Sequence, residues 1–229
     1  MPARVKENYI LKRLEADDLA ALRPNLKPFT MVRGTVVHRS KTQIDQVYFP
    51  LNGMISILAV TKSGEQIETA VVGREGVVGA SIGSLGPNAF GQATVQISGE
   101  AVRIQSGAFI RLFNASERFR LVVTAFQASL FLQAQQAAAC HALHTVEARL
   151  CRWLLQSQDV IEGDTIELTQ EFLSHMLGVH RPAVTVAAVA LQKLGLIEYS
   201  RGVIEILDRP GLKKRACECY EVFIDGLIK

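Results

Sequence analysis

The sequence predicts an α+β protein with an N-terminal antiparallel β-barrel, a long helix and a C-terminal winged helix-turn-helix. Three observations lead to this fold class. Short runs rich in β-branched residues fill residues 29–104, and a helical repeat free of Gly and Pro begins near Ser116. A helix–turn–helix pattern with Gly at its turn is then followed by a hairpin pattern. We expect three parts, at residues 1–115, 116–143 and 144–229.

Composition limits the class of protein. The chain has 229 residues, of which 48% are apolar, enough for two folded cores. The net charge of +3 does not by itself require a nucleic-acid partner, so a DNA-binding protein of this composition would have to concentrate its positive charge on one face. The N-terminus lacks the apolar core of a signal peptide, and no uninterrupted apolar stretch reaches ~18 residues. We therefore expect a cytoplasmic protein with four reduced thiols.

Six short segments of the first part predict β-strands. They are Thr35–His38, Gln46–Phe49, Met54–Val60, Ile67–Val72, Ala93–Ile97 and Ala101–Ile104. Turn residues such as Asn52-Gly53 and Ser98-Gly99 separate them. Many short strands at close spacing are typical of an antiparallel barrel of the jelly-roll type. A short helix is expected before the strands, from about Ala16 to Arg23.

The long helix has two apolar sides. One side follows a repeat with alternating spacings of four and three, which is typical of a helix that pairs with another helix. This side is the predicted dimer interface, and it consists of Phe119, Val123, Phe126, Leu130, Gln133 and Ala137. The other side consists of Leu121, Ala125, Ala128 and Leu132. We expect the barrel on one side and a second subunit on the other, and a helix that packs only on its own barrel is the alternative.

Residues 168–206 predict the winged helix-turn-helix. Thr169 is a suitable N-cap for a helix that ends at Leu177, Gly178 suits the sharp turn, and Pro182 falls in the first turn of the next helix. Ser200-Arg201-Gly202 is a tight turn between two strands. In a motif of this kind, the second helix enters the major groove of DNA.

Arg181 is the predicted base-reading residue, because its guanidinium matches O6 and N7 of guanine. The full set of predicted DNA contacts is Thr169, Gln170, His180, Arg181, Pro182, Thr185 and Arg201. Arg201 at the wing tip is interpreted equally well as a solvated turn residue. The basic run at residues 213–215 is expected to be a solvated helix face.

The order of these parts resembles the cyclic-AMP receptor protein/FNR family of bacterial transcription regulators. The resemblance covers nearly the whole chain and is most specific over residues 168–206. It implies a cyclic-nucleotide-binding-like jelly roll of cupin type, a homodimer formed through the long helix, and a palindromic operator. The expected partners are double-stranded DNA, a second copy of the chain and RNA polymerase, without a membrane.

The resemblance also implies an effector pocket, at Gly79, Ala80, Ser81, Gln92 and Ala93. Family members that bind cyclic nucleotides hold the ribose with a Glu and the phosphate with an Arg, and Ala80 and Gln92 stand near those two positions. A neutral amide lacks the charge and the bidentate geometry of a guanidinium. We therefore expect a regulator that does not depend on cyclic AMP. A regulator that binds cyclic nucleotide through a rearranged loop is the alternative.

Cofactors are not expected. The chain has no Cys before Cys140, which argues against the N-terminal iron–sulfur cluster of FNR-type members. Haem sensing through His38, Cys140, His141 or His144 stays open. Cys140 and His144 are four residues apart and would be able to ligate a metal. We prefer the interpretation of a buried thiol and a histidine that continue the seven-residue repeat of the long helix, so we predict no metal site.

Two further cysteines, Cys217 and Cys219, are assigned no role, because two residues so spaced on one helix point in different directions. Motifs of Ser-His-Asp, HExxH and P-loop type are missing from the sequence, so we do not expect an enzyme. A regulatory module that binds protein instead of DNA is the remaining alternative.

Overall fold

The computed structural model describes residues 5–161 and 163–226, which form two compact units. The first unit contains residues 5–59 and Ala70–Leu132, and the second contains Val60–Thr69 and Gln133–Gly226. One long helix, at Glu117–Leu143, contributes residues to both units. The part of the predicted loop at residue 162 lies outside the described residues.

Nine α-helices and ten β-strands occur among the described residues. The helices are α1 (Tyr9–Lys12), α2 (Ala16–Leu22), α3 (Ser106–Ala115), α4 (Glu117–Leu143), α5 (Val146–Gln158), α6 (Gln170–Leu177), α7 (Arg181–Lys193), α8 (Arg209–Arg215) and α9 (Cys219–Gly226). The strands are β1 (Lys27–Met31), β2 (Val36–His38), β3 (Gln46–Pro50), β4 (Met54–Val60), β5 (Gln66–Val72), β6 (Gln92–Ile97), β7 (Gly99–Gln105), β8 (Thr165–Glu167), β9 (Ile197–Ser200) and β10 (Val203–Ile206). None of these helices is both long and apolar enough to cross a membrane.

The predicted fold class is confirmed, but the N-terminal strands do not close into one barrel. They form two sheets with the orders β1-β7-β3 and β2-β6-β4-β5, a double-sheet arrangement typical of a jelly roll. Antiparallel pairing joins β7 to β1 and β3, and β6 to β2 and β4. All six predicted strands are present. The sequence analysis missed β1, which carries Pro28 and is a largely exposed edge strand, where proline is tolerated.

The start of α4 is fixed by Ser116. Its hydroxyl accepts the amide hydrogen of Phe119 at 3.0 Å and donates to the Asp18 carboxylate at 2.6 Å. Phe119 is fully buried, and its ring meets the ring of Phe109 edge-on, with 5.3 Å between centroids. The first turns of α4 therefore belong to the core of the first unit.

The predicted dimer side of α4 is buried by the chain itself. Phe119, Val123, Phe126, Gln133 and Ala137 are buried and Leu130 is partly buried. Gly76 makes this packing possible, because an added Cβ there would overlap the Phe126 ring. Side chains covered in this way cannot supply an interface with a second chain. This corrects the sequence interpretation: the seven-residue repeat follows the inward side of the helix, and Leu121, Ala125, Ala128 and Leu132 lie on its outward side.

The second unit contains the winged helix-turn-helix in the predicted order. Helices α6 and α7 are followed by β9 and β10, and β8 completes an antiparallel sheet of order β8-β10-β9. Trp153 and Leu154 of α5 are buried, as are Leu173 of α6 and Leu191 of α7. These contacts hold the two helices of the motif against α5 and leave the start of α7 exposed.

Candidate nucleic-acid interface

The turn between α6 and α7 is sharply defined. The Thr169 hydroxyl accepts the amide hydrogen of Phe172 at 3.2 Å and caps the start of α6. Gly178 ends α6 in the left-handed conformation, with φ 59° and ψ 43°. The amide of Val179 donates to the carbonyl of Ser174 at 3.0 Å, as in a Schellman motif. The turn thereby fixes where α7 begins.

Helix α7 has one buried and one exposed side. Val184, Ala187, Ala188 and Leu191 are buried. Arg181 and Pro182 are exposed in the first turn, followed by Val186, which is 70% exposed, and Val189, which is 42% exposed. An exposed surface that combines a guanidinium with valine methyl groups offers both polar and apolar contacts to base edges.

Arg181 is held by a side chain of the preceding helix. Gln170 Oε1 accepts one hydrogen bond from Arg181 Nε at 3.2 Å and another from Thr185 Oγ1 at 3.0 Å. This orients the guanidinium while using one of its five N–H donors. Three predicted contact residues are therefore joined in one hydrogen-bonded group at the exposed start of α7.

The wing brings a second arginine to the same surface. Arg201 and Gly202 form the turn between β9 and β10, both with positive φ, at 49° and 81°. The turn therefore holds a non-glycine residue in a conformation that Asn or Gly adopts more readily. Arg181 and Arg201 line one depression of about 370 Å³, and its other lining residues are Thr169, Gln170, Tyr199 and Gly202. Two guanidinium groups around one depression favour an anionic partner.

Sequence analysis missed Tyr199, Val186 and Val189 in this surface. The Tyr199 hydroxyl donates to the carbonyl of Leu168 at 3.1 Å. Burial raises the pKa of Tyr199, against the opposing effect of the Arg181 charge, so the phenol stays neutral. The sequence does contain a signal for Val186 and Val189, because both are apolar residues outside the buried side of α7.

The two remaining predicted contact residues, His180 and Pro182, lie at the start of α7. His180 is the N-cap residue of α7 without a side-chain capping bond, and Pro182 lies in the first turn. In the basic run of residues 213–215, Lys213 Nζ lies 3.5 Å from Glu221 Oε1, and Arg215 Nη1 lies 2.8 Å from Glu147 Oε1. These two cations are thus paired with carboxylates on the protein surface.

A cavity of about 230 Å³ lies in the first unit at the predicted effector pocket. Gly79, Ala80, Ser81 and Ala93 line it, whereas Gln92 is not part of the lining and its amide donates to Thr94 at 3.2 Å. The other lining residues are His38, Ile44, Ile57, Val77, Val78, Leu85, Ala89, Phe90, Gly91, Gln127 and Leu130. Among the described residues around this cavity there is no Arg, Lys, Asp or Glu.

The one ionisable side chain in that lining is His38. Its Nε2 lies 2.7 Å from the carbonyl oxygen of Gln46. Burial lowers the pKa of His38, which outweighs the opposing effects of that hydrogen bond and of Asp45. The imidazole is therefore neutral at pH 7, and the cavity offers no cation to a phosphate.

The described geometry agrees with comparisons to known proteins. The model of the Crp-like helix-turn-helix domain matches residues 148–215. No curated protein matches the chain.

Solved structures of similar fold span nearly the whole chain. A putative transcriptional regulator of the CRP/FNR family from Eubacterium rectale has a TM-score of 0.74 and 17% identity, over 92% of this chain and 98% of that one. FixK2 from Bradyrhizobium japonicum has a TM-score of 0.69 and 15% identity, over 84% and 98%. The c-di-GMP-responsive global regulator CLP from Xanthomonas campestris has a TM-score of 0.68 and 16% identity, over 85% and 100%. Residues 148–215 thus match a Crp-like helix-turn-helix domain, and nearly the whole chain has the fold of these solved structures.

Proposed function

We propose that the chain is a homodimeric regulator that reads a palindromic operator in double-stranded DNA with helix α7. The observation that carries this proposal is Arg181, exposed in the first turn of α7 and oriented by Gln170. In this proposal, residues 1–115 form an effector domain, residues 116–143 a dimerisation helix and residues 144–229 the DNA-binding domain. We propose no catalytic role.

The surface around Arg181 divides into base-reading and phosphate-binding groups. A guanidinium held by a single bond through Nε presents its terminal nitrogens to O6 and N7 of a guanine. Val186 and Val189 lie further along the exposed side of α7 and suit the methyl group of thymine. Arg201 on the wing suits a phosphate, as do the free amides at the start of α6.

The outward side of α4 supports the dimer. Leu121, Ala125, Ala128 and Leu132 repeat with spacings of four, three and four, which is the pattern of a helix that pairs with a copy of itself. Leu121 is 62% exposed and Leu132 is 58% exposed, and the adjacent Phe131 is 64% exposed. Large apolar side chains in a row on one helix favour coverage by a partner. A two-fold dimer would read two half-sites related by the same symmetry, hence a palindrome.

The test is selection of bound sequences from a random duplex library by the full chain, followed by fluorescence anisotropy on the selected site. We expect a palindrome with a G·C pair in each half-site. Arg181→Ala should weaken DNA binding by about 1–3 kcal/mol per half-site and remove the preference for the G·C pair. Lys214→Ala removes the same charge from an exposed position of α8 and should keep the preference. Failure to enrich any sequence, or an unchanged preference in Arg181→Ala, would overturn the proposal.

We further propose that DNA binding does not depend on cyclic AMP. The neutral, mostly apolar cavity supports this, because a buried phosphate without a cation loses its solvation without replacement. Isothermal titration calorimetry with cyclic AMP and cyclic GMP tests it, and micromolar binding of either nucleotide would overturn it. RNA polymerase is the proposed further partner, tested by transcription in vitro from a promoter that carries the selected site.

A further inference from the structure

Four side chains with metal-ligating atoms converge at one point of the second unit. They are Cys140, His144, Cys217 and Cys219, and their ligand atoms all lie within 4.8 Å of one another. Cys140 Sγ lies 3.6 Å from Cys217 Sγ, and Cys219 Sγ lies 3.5 Å from His144 Nδ1. All four cysteines of the chain are free thiols, so no disulfide accounts for this cluster.

These two separations match the distances between ligand atoms in a site that binds one metal ion. Bond lengths of about 2.3 Å for Zn–S and about 2.0–2.1 Å for Zn–N place tetrahedral ligand atoms about 3.6–3.8 Å apart. The two distances above have that size before any adjustment of the side chains. An iron–sulfur cluster would require wider spacing between at least some of the four ligand atoms, because its ligands are distributed over two or four irons. We propose that Cys140, His144, Cys217 and Cys219 form a structural Zn²⁺ site.

The surroundings of His144 fit a metal ligand. Its Nδ1 points to the sulfur group, while its Nε2 lies 3.2 Å from the Glu218 carboxylate. A carboxylate on the outer nitrogen fixes the ring so that the inner nitrogen carries the lone pair, the arrangement usual for histidine ligands of zinc. Cys140 lies on α4, and His144 directly follows its last residue. The His144 amide donates to the Cys140 carbonyl at 3.2 Å, which continues the helical turn and places both side chains on the same side.

The charge and burial of the cluster also fit zinc. Cys140 and Cys219 are fully buried, and Cys217 is nearly so. Three thiolates and a neutral imidazole around Zn²⁺ leave one net negative charge. Buried Arg152 supplies a positive charge that acts on Cys140 and Cys217. Gln136 donates an N–H to Cys219 Sγ at 3.0 Å, a contact typical of a coordinated sulfur.

The site would be structural. Four protein ligands complete a tetrahedral shell and leave no position for water or substrate. Cys140 lies near the end of α4 and His144 directly follows that helix, whereas Cys217 precedes α9 and Cys219 is its first residue. The ion would therefore fasten the start of α9 to the end of α4. When the reduced protein binds Zn²⁺, the three thiols release up to three protons to solvent and no electron is transferred. This inference is independent of the proposed DNA recognition.

The experiment measures zinc in the full chain after reconstitution with Zn²⁺ under reducing conditions. We expect one zinc ion per chain by elemental analysis. Titration with Co²⁺ should give the intense visible bands of a tetrahedral cobalt–thiolate complex, and Zn²⁺ should displace them. Glu218→Gln should keep one ion per chain with an affinity about 10- to 100-fold weaker.

Two variants locate the site. Cys219→Ala should lose stoichiometric zinc, whereas Cys151→Ala should keep it. Cys151 is an equally buried thiol of the same unit outside the cluster, and burial raises its pKa to about 12. Retention of zinc by Cys219→Ala would overturn the proposal.

Measurements on the wild-type chain test the zinc site without relying on the folding of a variant. No zinc bound after reconstitution, no tetrahedral cobalt spectrum, or purification with iron and labile sulfide in place of zinc would each overturn the proposal. A monomeric chain, or one that does not bind DNA, would leave this result unchanged.

Discussion

The dimer proposed through α4 makes a prediction whose size follows from the exposed side chains. Leu132 is 58% exposed and lies between Ala128 and Gln135 on the outward side of the helix. Burying a fully exposed leucine stabilises an interface by about 1.5–3 kcal/mol, so the exposed part of Leu132 contributes about 0.9–1.7 kcal/mol, and a two-fold interface contains it twice. Leu132→Asp should therefore cost at least about 2–3.5 kcal/mol. This corresponds to a dissociation constant roughly thirtyfold to several-hundredfold higher.

Sedimentation velocity over a range of concentrations measures this change. The wild-type chain should be a dimer at micromolar concentration, and Leu132→Asp should be a monomer with the same helix content by circular dichroism. Val32→Asp is the matched control, because Val32 is also 58% exposed but belongs to the segment between β1 and β2 instead of α4. An unchanged dissociation constant for Leu132→Asp would refute the assignment of the outward side, and a monomeric wild-type chain would refute the dimer itself.

Three other predictions test the local structure. Gly178→Ala should lower the free energy of unfolding by about 2–5 kcal/mol, since a side chain at φ 59° is strained and its Cβ would overlap Ile67. Gly195→Ala, at φ 68° with open space around it, should lose only about 1–2 kcal/mol, and equal losses in urea titrations would contradict this packing argument. Thr169→Ala should cost about 1 kcal/mol of stability through loss of the helix cap, whereas Thr169→Ser should restore most of it, as measured by thermal unfolding. Burial lowers the pKa of His38 below its usual 6.5, so the unfolded chain binds a proton that the folded chain does not, and stability should fall as pH falls below about 6.5. His38→Gln should flatten the change of urea midpoint between about pH 7.5 and 5.5, and an identical slope would show that another group is responsible.

Local signals predicted most of the fold. The strands alternate with turn residues, and the helix-turn-helix carries its own cap, turn and proline, so each element is specified by residues close together in the chain. The edge strand β1 escaped prediction because Pro28 and an exposed pattern hide a strand that depends on its partner β7. Closure of the sheets into a barrel was wrong for a related reason, since pairing of strand edges depends on the whole domain.

Local patterns also decided which residues of the two candidate sites were predicted. Arg181 and Thr185 were predicted because a helix-turn-helix places the start of its second helix at the DNA, and Gln170 was predicted because a backbone amide at the start of the first helix suits a phosphate. The cysteines at 217 and 219 were dismissed on the assumption that both lie on one helix. In the structure α9 begins at Cys219, and Cys217 precedes it in an irregular segment, so the angle between helical side chains does not apply. The chain then brings Cys217 to Cys140, 77 residues away, a distance that no local pattern reveals.

The repeat on α4 shows why a correct pattern led to the wrong partner. Phe119 and Phe126 begin a stripe of alternating spacings that continues to Cys140 and His144. Its early members are buried in the core of the first unit, and its last two belong to the cysteine–histidine cluster of the second. A seven-residue repeat reports only that one side of a helix is covered, and a chain can cover that side itself. All four proposed zinc ligands come from one chain. Zinc should therefore bind at one ion per chain in Leu132→Asp as in the wild-type dimer, and loss of zinc on dissociation would mean that the ligands are shared between subunits.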